Sequence, residues 1–202
     1  IQATDIRYAD RAAPKLARFE EGLRASAEAN NHNFVNTLIG HSYGSTTYGK
    51  SMTLVAPGTV DRFIMCGSPG SGVQSIDEYN VPKDHVYVSS ITTHDSVQDL
   101  NVLASSGDGK DPRNLDGITH LSGDATDSAD YWVNKKSPGI SRWWTDVTHS
   151  FKHHMDYFDE GTRTSQDFAN IVAGSDQTTD EEWEMLDKAH ELGLTDNWSV
   201  SR

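Results

Sequence analysis

A single cysteine among 202 residues excludes an internal disulfide. The compartment stays open, because a secreted protein can also do without disulfides. Cys66 closes the apolar run Phe63-Ile64-Met65-Cys66. That setting suits a buried small hydrophobe better than a nucleophile. No apolar run approaches the ~20 residues needed to cross a bilayer, so no membrane span is expected. Positive charge is scarce as well: 17 Lys and Arg stand against 30 Asp and Glu, a formal charge of −13. Such a surface repels phosphate backbones, which argues against nucleic acid as a partner. No signal-peptide pattern is visible at the N-terminus, which begins at Ile1 rather than Met. Localisation, secreted or cytoplasmic, is therefore left undistinguished.

What is present points to a folded α/β protein. Five Trp, seven Tyr and six Phe within a 35% hydrophobic chain exceed what a disordered sequence carries. The length suits one domain with a real core. Residues 12–30 read as a helix, with Leu16, Phe19 and Leu23 at helical spacing and Pro14 suited to its first turn. Phe34 to Ile39, Val60 to Cys66 and His85 to Thr92 read as three buried strands. A helix-like stretch from Ser45 to Val55 separates the first two, and Ile76 to Tyr79 suggests a short helix. Residues 105–130, rich in Gly, Asp and Ser, read as a surface loop with little regular structure. Ser165 to Ala173 and Thr179 to Leu192 read as two more helices. Strands alternating with helices indicate a mostly parallel sheet flanked by helices. The expectation is one α/β domain over 1–202, with a loop-rich insert at about 105–144.

The sharpest chemical motif is Gly40-His41-Ser42-Tyr43-Gly44, a G-x-S-x-G between a strand and a helix. A nucleophile elbow needs that setting, because the strand must turn sharply into the helix to expose the serine hydroxyl. Gly40 and Gly44 lack a Cβ, so the two elements are expected to approach closely around Ser42. The N–H of Tyr43, at the helix start, is then aimed to stabilise an oxyanion. A serine needs a base oriented by an acid. In this fold the order is Ser, acid, His. Asp95 follows the third strand and fits the acid, with Asp99 as its competitor. The base comes from His120, His149, His153, His154 or His190, and spacing alone does not separate His153 from His154. His149 and His153, four apart and close to Asp156, also raise a metal site, but the zinc-protease pattern H-E-x-x-H is absent. The glycines of 67–72 have no Lys after them and form no P-loop.

The run Asn36 to Thr46 resembles the elbow of an actinobacterial α/β-hydrolase family formerly a domain of unknown function (DUF1023). Arg62 to Val73, read R-F-I-M-C-G-S-P-G-S-G-V, is similar to that family's strand ending in G-S-P-G-x-G-V. Val86 to Val97 resembles its strand and acid loop, with the acid at Asp95. His154 to Phe158, followed by Ser165, Asn170 to Val172 and Gly174, resembles its C-terminal block, and this places the base at His154. Met155 departs from the family's Ser at that position. The resemblance also implies first strands, and a loop giving the second oxyanion N–H, before residue 1. Taken together, Ser42, Asp95, His154 and Tyr43 imply a serine hydrolase acting on an ester or related acyl bond, with no cofactor. A missing N-terminal segment or another chain is the implied macromolecular partner. A non-catalytic binding or structural module on a hydrolase scaffold, or one piece of a processed enzyme, is the alternative.

Overall fold

The computed structural model describes residues 6–91, 108–123, 154–160, 162–175 and 180–192. Among these residues, besides short 3-10 turns, there are four α-helices and four strands: α1 (Ile6–Ala29), β1 (Thr37–His41), α2 (Tyr43–Met52), β2 (Arg62–Cys66), β3 (Val86–Ser89), β4 (Thr119–His120), α3 (Arg163–Ala173) and α4 (Asp180–Glu191). The strands form one sheet in the order β1-β2-β3-β4, every neighbouring pair parallel. Its register aligns His41, Cys66 and Ser89, so three strands end at one edge.

Alternate residues of the strands feed two cores. Phe63 and Met65 of β2 face one way with Leu38, Val86 and Val88, joined by Ala17 of α1 and Met52 of α2. Ile64 and Cys66 face the other way with Tyr87, joined by Tyr157 and by Phe168 and Ile171 of α3. A sheet covered on both faces explains why its strands read as unbroken apolar runs instead of alternating ones. Cys66 is fully buried, as expected, with its Sγ 3.7 Å from the Gly40 carbonyl.

Several sequence expectations shift. The first strand starts at Thr37, three residues later than its apolar run, and continues through Gly40 and His41 of the motif. Before it, Arg24 lies over the Phe34 ring, and the Asn36 N–H donates to Asp61 Oδ2 at 2.7 Å. These side-chain contacts hold 34–36 outside the ladder. Helix α1 begins six residues earlier than expected, which puts Pro14 inside the helix rather than in its first turn. The bond Pro14 cannot make belongs to the carbonyl of exposed Asp10, which water can reach. The buried side of α1 is Ala9, Ala13, Ala17 and Glu20, whereas Phe19 is 64% exposed and Leu23 41%. Small residues win because α1 lies close against α2. Glu20 is buried with them because Asn36 Nδ2 donates to its carboxylate at 2.9 Å. The stretch expected to be a surface loop with little regular structure carries the two-residue strand β4, and His120 therefore lies in a strand, with its side chain exposed.

Candidate active site

The turn from β1 into α2 is built around Ser42. Its backbone has φ 57° and ψ −138°, a region that residues with a Cβ rarely enter and that costs about 1–3 kcal/mol. Neighbouring bonds hold it there. The Ser42 N–H donates to the Cys66 carbonyl at 3.0 Å, and the Ser42 carbonyl accepts from the Ser45 N–H at 3.0 Å. Ser45 Oγ lies 2.5 Å from that same carbonyl and 2.5 Å from Ser68 Oγ. Ser68 Oγ in turn lies 3.0 Å from the Gly70 carbonyl, so the two hydroxyls link the elbow to the turn that follows β2. Ser42 is the N-cap of α2 by position, yet its hydroxyl makes no capping bond and the residue is only half-buried. The strained backbone thus presents the hydroxyl at the sheet's edge instead of spending it on the helix.

The two motif glycines are not equivalent. A Cβ on Gly40 would fall 2.6 Å from the Ser45 Cα, whereas one on Gly44 would meet nothing within 4 Å. Close approach of strand and helix thus depends on Gly40, and the expectation for Gly44 is corrected. Residues 67–72 form a turn packed onto α2, where Ser71 O would be 2.0 Å from a Cβ on Gly49. Tyr43, the first residue of α2, places its backbone at the helix start, where negative charge is favoured. Its hydroxyl accepts from the Ala9 N–H at 3.3 Å, tying α1 to the elbow.

His154 arrives at this edge from far along the chain. It is 6% exposed and opens a short turn that continues into a 3-10 helix, Asp156–Phe158. The His41 ring stands 4.5 Å from the His154 ring, tilted by 32°. His41 Nε2 lies 2.6 Å from the His154 carbonyl. Tyr157 of the same turn is fully buried, and its Oη accepts from the Ile91 N–H at 3.1 Å. The turn therefore touches the end of β1 and the segment just beyond β3, the two places on that edge from which the elbow and the expected acid loop depart. Arg62, which donates to the Ile171 carbonyl at 2.8 Å, fastens the following helix to β2.

A parallel sheet, a strained serine between strand and helix, and a histidine-bearing turn over the same edge are now in view. A family model described as alpha/beta hydrolase (Abhydrolase_8) matches residues 1–105. The chain belongs to the α/β-hydrolase family. No curated protein and no solved structure matches it.

In this α/β hydrolase, Asp95, Asp99, His149 and His153 lie outside the described residues, as does most of the segment from 105 to 144. Among the described residues there is no cluster of three or more His, Cys, Asp or Glu able to hold a metal. Asp156 is buried within the His154 turn, and Asp167 of α3 accepts from the Ser122 N–H at 3.1 Å. Sequence reasoning passed over three residues that shape the site: His41, Ser45 and Tyr157. His41 was visible only as the variable position of the motif. Nothing in its spacing announces a partner 113 positions away.

Proposed function

We propose that this chain is a serine hydrolase that cleaves an ester or related acyl bond, with Ser42 as nucleophile, His154 as base and Asp95 as the acid. The observation that carries the reading is the backbone of Ser42: a positive φ of 57° between strand and helix, with the hydroxyl uncommitted to capping. The resemblance of the elbow and of the His154 block to the DUF1023 family supports the same assignment. In the proposed reaction Ser42 Oγ attacks the acyl carbon as its proton passes to His154. The tetrahedral oxyanion takes a hydrogen bond from the Tyr43 N–H. The imidazolium then protonates the leaving group, and water releases the acyl-enzyme by the reverse sequence. Asp95 orients the imidazole and stabilises its charged form. No step calls for a cofactor.

The test is intact-mass measurement after incubation with a fluorophosphonate, followed by peptide mapping. One adduct, on Ser42, is expected, and Ser42→Ala should abolish it. Ester hydrolysis unchanged in Ser42→Ala would defeat the assignment. His154→Ala should lower labelling by about 10³-fold or more, as loss of a triad member does, while His153→Ala should leave it near the parent's. A folded chain that takes no adduct would favour the non-catalytic module.

A further inference from the structure

We infer that His41, the residue just before the nucleophile, is a positioning residue for the base: it couples the His154 turn directly to the strand that ends in Ser42. The inference rests on the serine-hydrolase reading above, and concerns how its two halves are held in register.

Three observations meet at this side chain. Thr37, Ile39 and His41 alternate along β1, and Ile39 packs on the core that contains Tyr157 and Phe168. His41 therefore points to the face over which the His154 turn lies, and away from α2. Its Nε2 is 2.6 Å from the main-chain carbonyl of His154. A carbonyl only accepts, so the proton sits on Nε2 and His41 is the donor. Its ring also packs against three rings of the turn: His154 at 4.5 Å, Tyr157 at 5.8 Å and Phe158 at 5.9 Å, the last edge-on.

The consequence follows from chain connectivity. Ser42 is covalently joined to His41, and the acceptor is the base residue's own carbonyl. One hydrogen bond thus spans 113 positions of sequence and links the nucleophile's residue to the base with a single peptide unit of slack. Tyr157 makes the matching tie to the segment after β3, through the Ile91 N–H. A base held on a turn needs such fixing, because proton transfer is steep in geometry and a displacement of about 1 Å can cost ~10²-fold. An imidazole suits the position because it donates at its tip while it stacks by its face, and of the two contacts the hydrogen bond is the one that sets where the base sits. Phenylalanine can only stack. Glutamine can only donate, since its Nε2 reaches as far as a histidine's. Asparagine, one methylene shorter, falls short of the carbonyl.

The experiment uses the full chain and a fluorophosphonate, reading the maximal labelling rate and the half-saturating probe concentration separately. His41→Phe should label Ser42 about 10–100-fold more slowly at saturation, with the half-saturating concentration within about twofold of the parent's. His41→Gln should return to within about threefold of the parent, and His41→Asn should resemble Phe. Should His41→Phe fail to fold, the Gln and Asn variants decide by themselves. Parental labelling in His41→Phe or His41→Asn would overturn the inference. So would equal slowing in Gln and Asn together with equal losses in urea midpoint, which would make His41 a packing residue. A parent that takes no adduct on Ser42 would instead defeat the hydrolase reading, and this inference with it.

Discussion

The two faces of the sheet are assembled differently. The face that holds the elbow is covered by α1 and α2, which flank β1 directly in sequence, and its core is continuous from Ala17 to Ile118. The face that holds His154 is covered by residues from the 154–171 stretch, brought back onto β1, β2 and β3 from more than 60 positions away and tied by polar contacts that include His41 to His154, Ile91 to Tyr157, Arg62 to Ile171 and Ser122 to Asp167. Among the described residues, the first face packs α1 and α2 closely against the larger core, and the second joins a smaller core to ties that span 45 positions of sequence or more. The proposed nucleophile and base thus depend on different contacts, and substitutions should separate them.

The largest effect is expected on the elbow face. Gly40→Ala would press a Cβ to 2.6 Å from the Ser45 Cα, a backbone atom that cannot swing away. A loss of about 3 kcal/mol in urea unfolding is expected, the upper end for overpacking, together with loss of Ser42 labelling. An unchanged midpoint would mean that the helix start yields freely and that the packing contrast is wrong. Gly44→Ala, which meets open space, serves as the paired control. On the other face, Tyr157→Phe keeps the buried ring and removes the acceptor for the Ile91 N–H. The expected cost is about 1–2 kcal/mol, with slower labelling at Ser42. Slower labelling without a shift in midpoint would assign the tie wholly to alignment.

A smaller, pH-dependent effect is expected at Asp108, which is 2% exposed and has one carboxyl oxygen without a hydrogen-bond partner. Burial holds its carboxyl above the usual aspartate range, opposed by the charge of Lys50 and assisted by that of Asp10. A raised carboxyl favours the protonated folded state. Its contribution is complete below the unfolded value near ~4 and is lost as pH rises through the folded value. Asp108→Asn should therefore match the parent at low pH and exceed it at neutral pH, measured as urea midpoints at both. A variant less stable at neutral pH would refute this. The smallest effect is expected at Phe19, whose exposure of 64% contradicts its place in the apolar spacing of α1. Phe19→Ser should change stability by no more than about 0.5 kcal/mol, and a loss above 2 kcal/mol would restore it to a packed interface.

Much of the elbow was legible because its causes are local. A strand, a sharp turn and a helix succeed one another within Thr37–Met52, and the serine's strain sits at that junction, although the bond from its N–H goes to Cys66 of the next strand. The parallel, doubly covered sheet was legible for a related reason, since strands buried on both faces carry unbroken apolar runs. The buried side of α1 was not. Apolar spacing selects Leu16, Phe19 and Leu23, but how near α2 stands is a tertiary distance, and the residues buried are Ala9, Ala13, Ala17 and the hydrogen-bonded Glu20. Strand β4 was missed because two residues paired to β3 leave no periodicity to read.

Sequence by itself determined the α/β class and the serine turn, because each follows from the order and size of adjacent side chains. Only the tertiary structure decided which glycine the turn depends on, which side of α1 is buried, and that His41 meets His154. Those outcomes turn on distances between segments far apart in the chain. A hydrogen bond or a close contact has a range of a few ångströms, and linear spacing does not encode it until the sheet has brought the segments together.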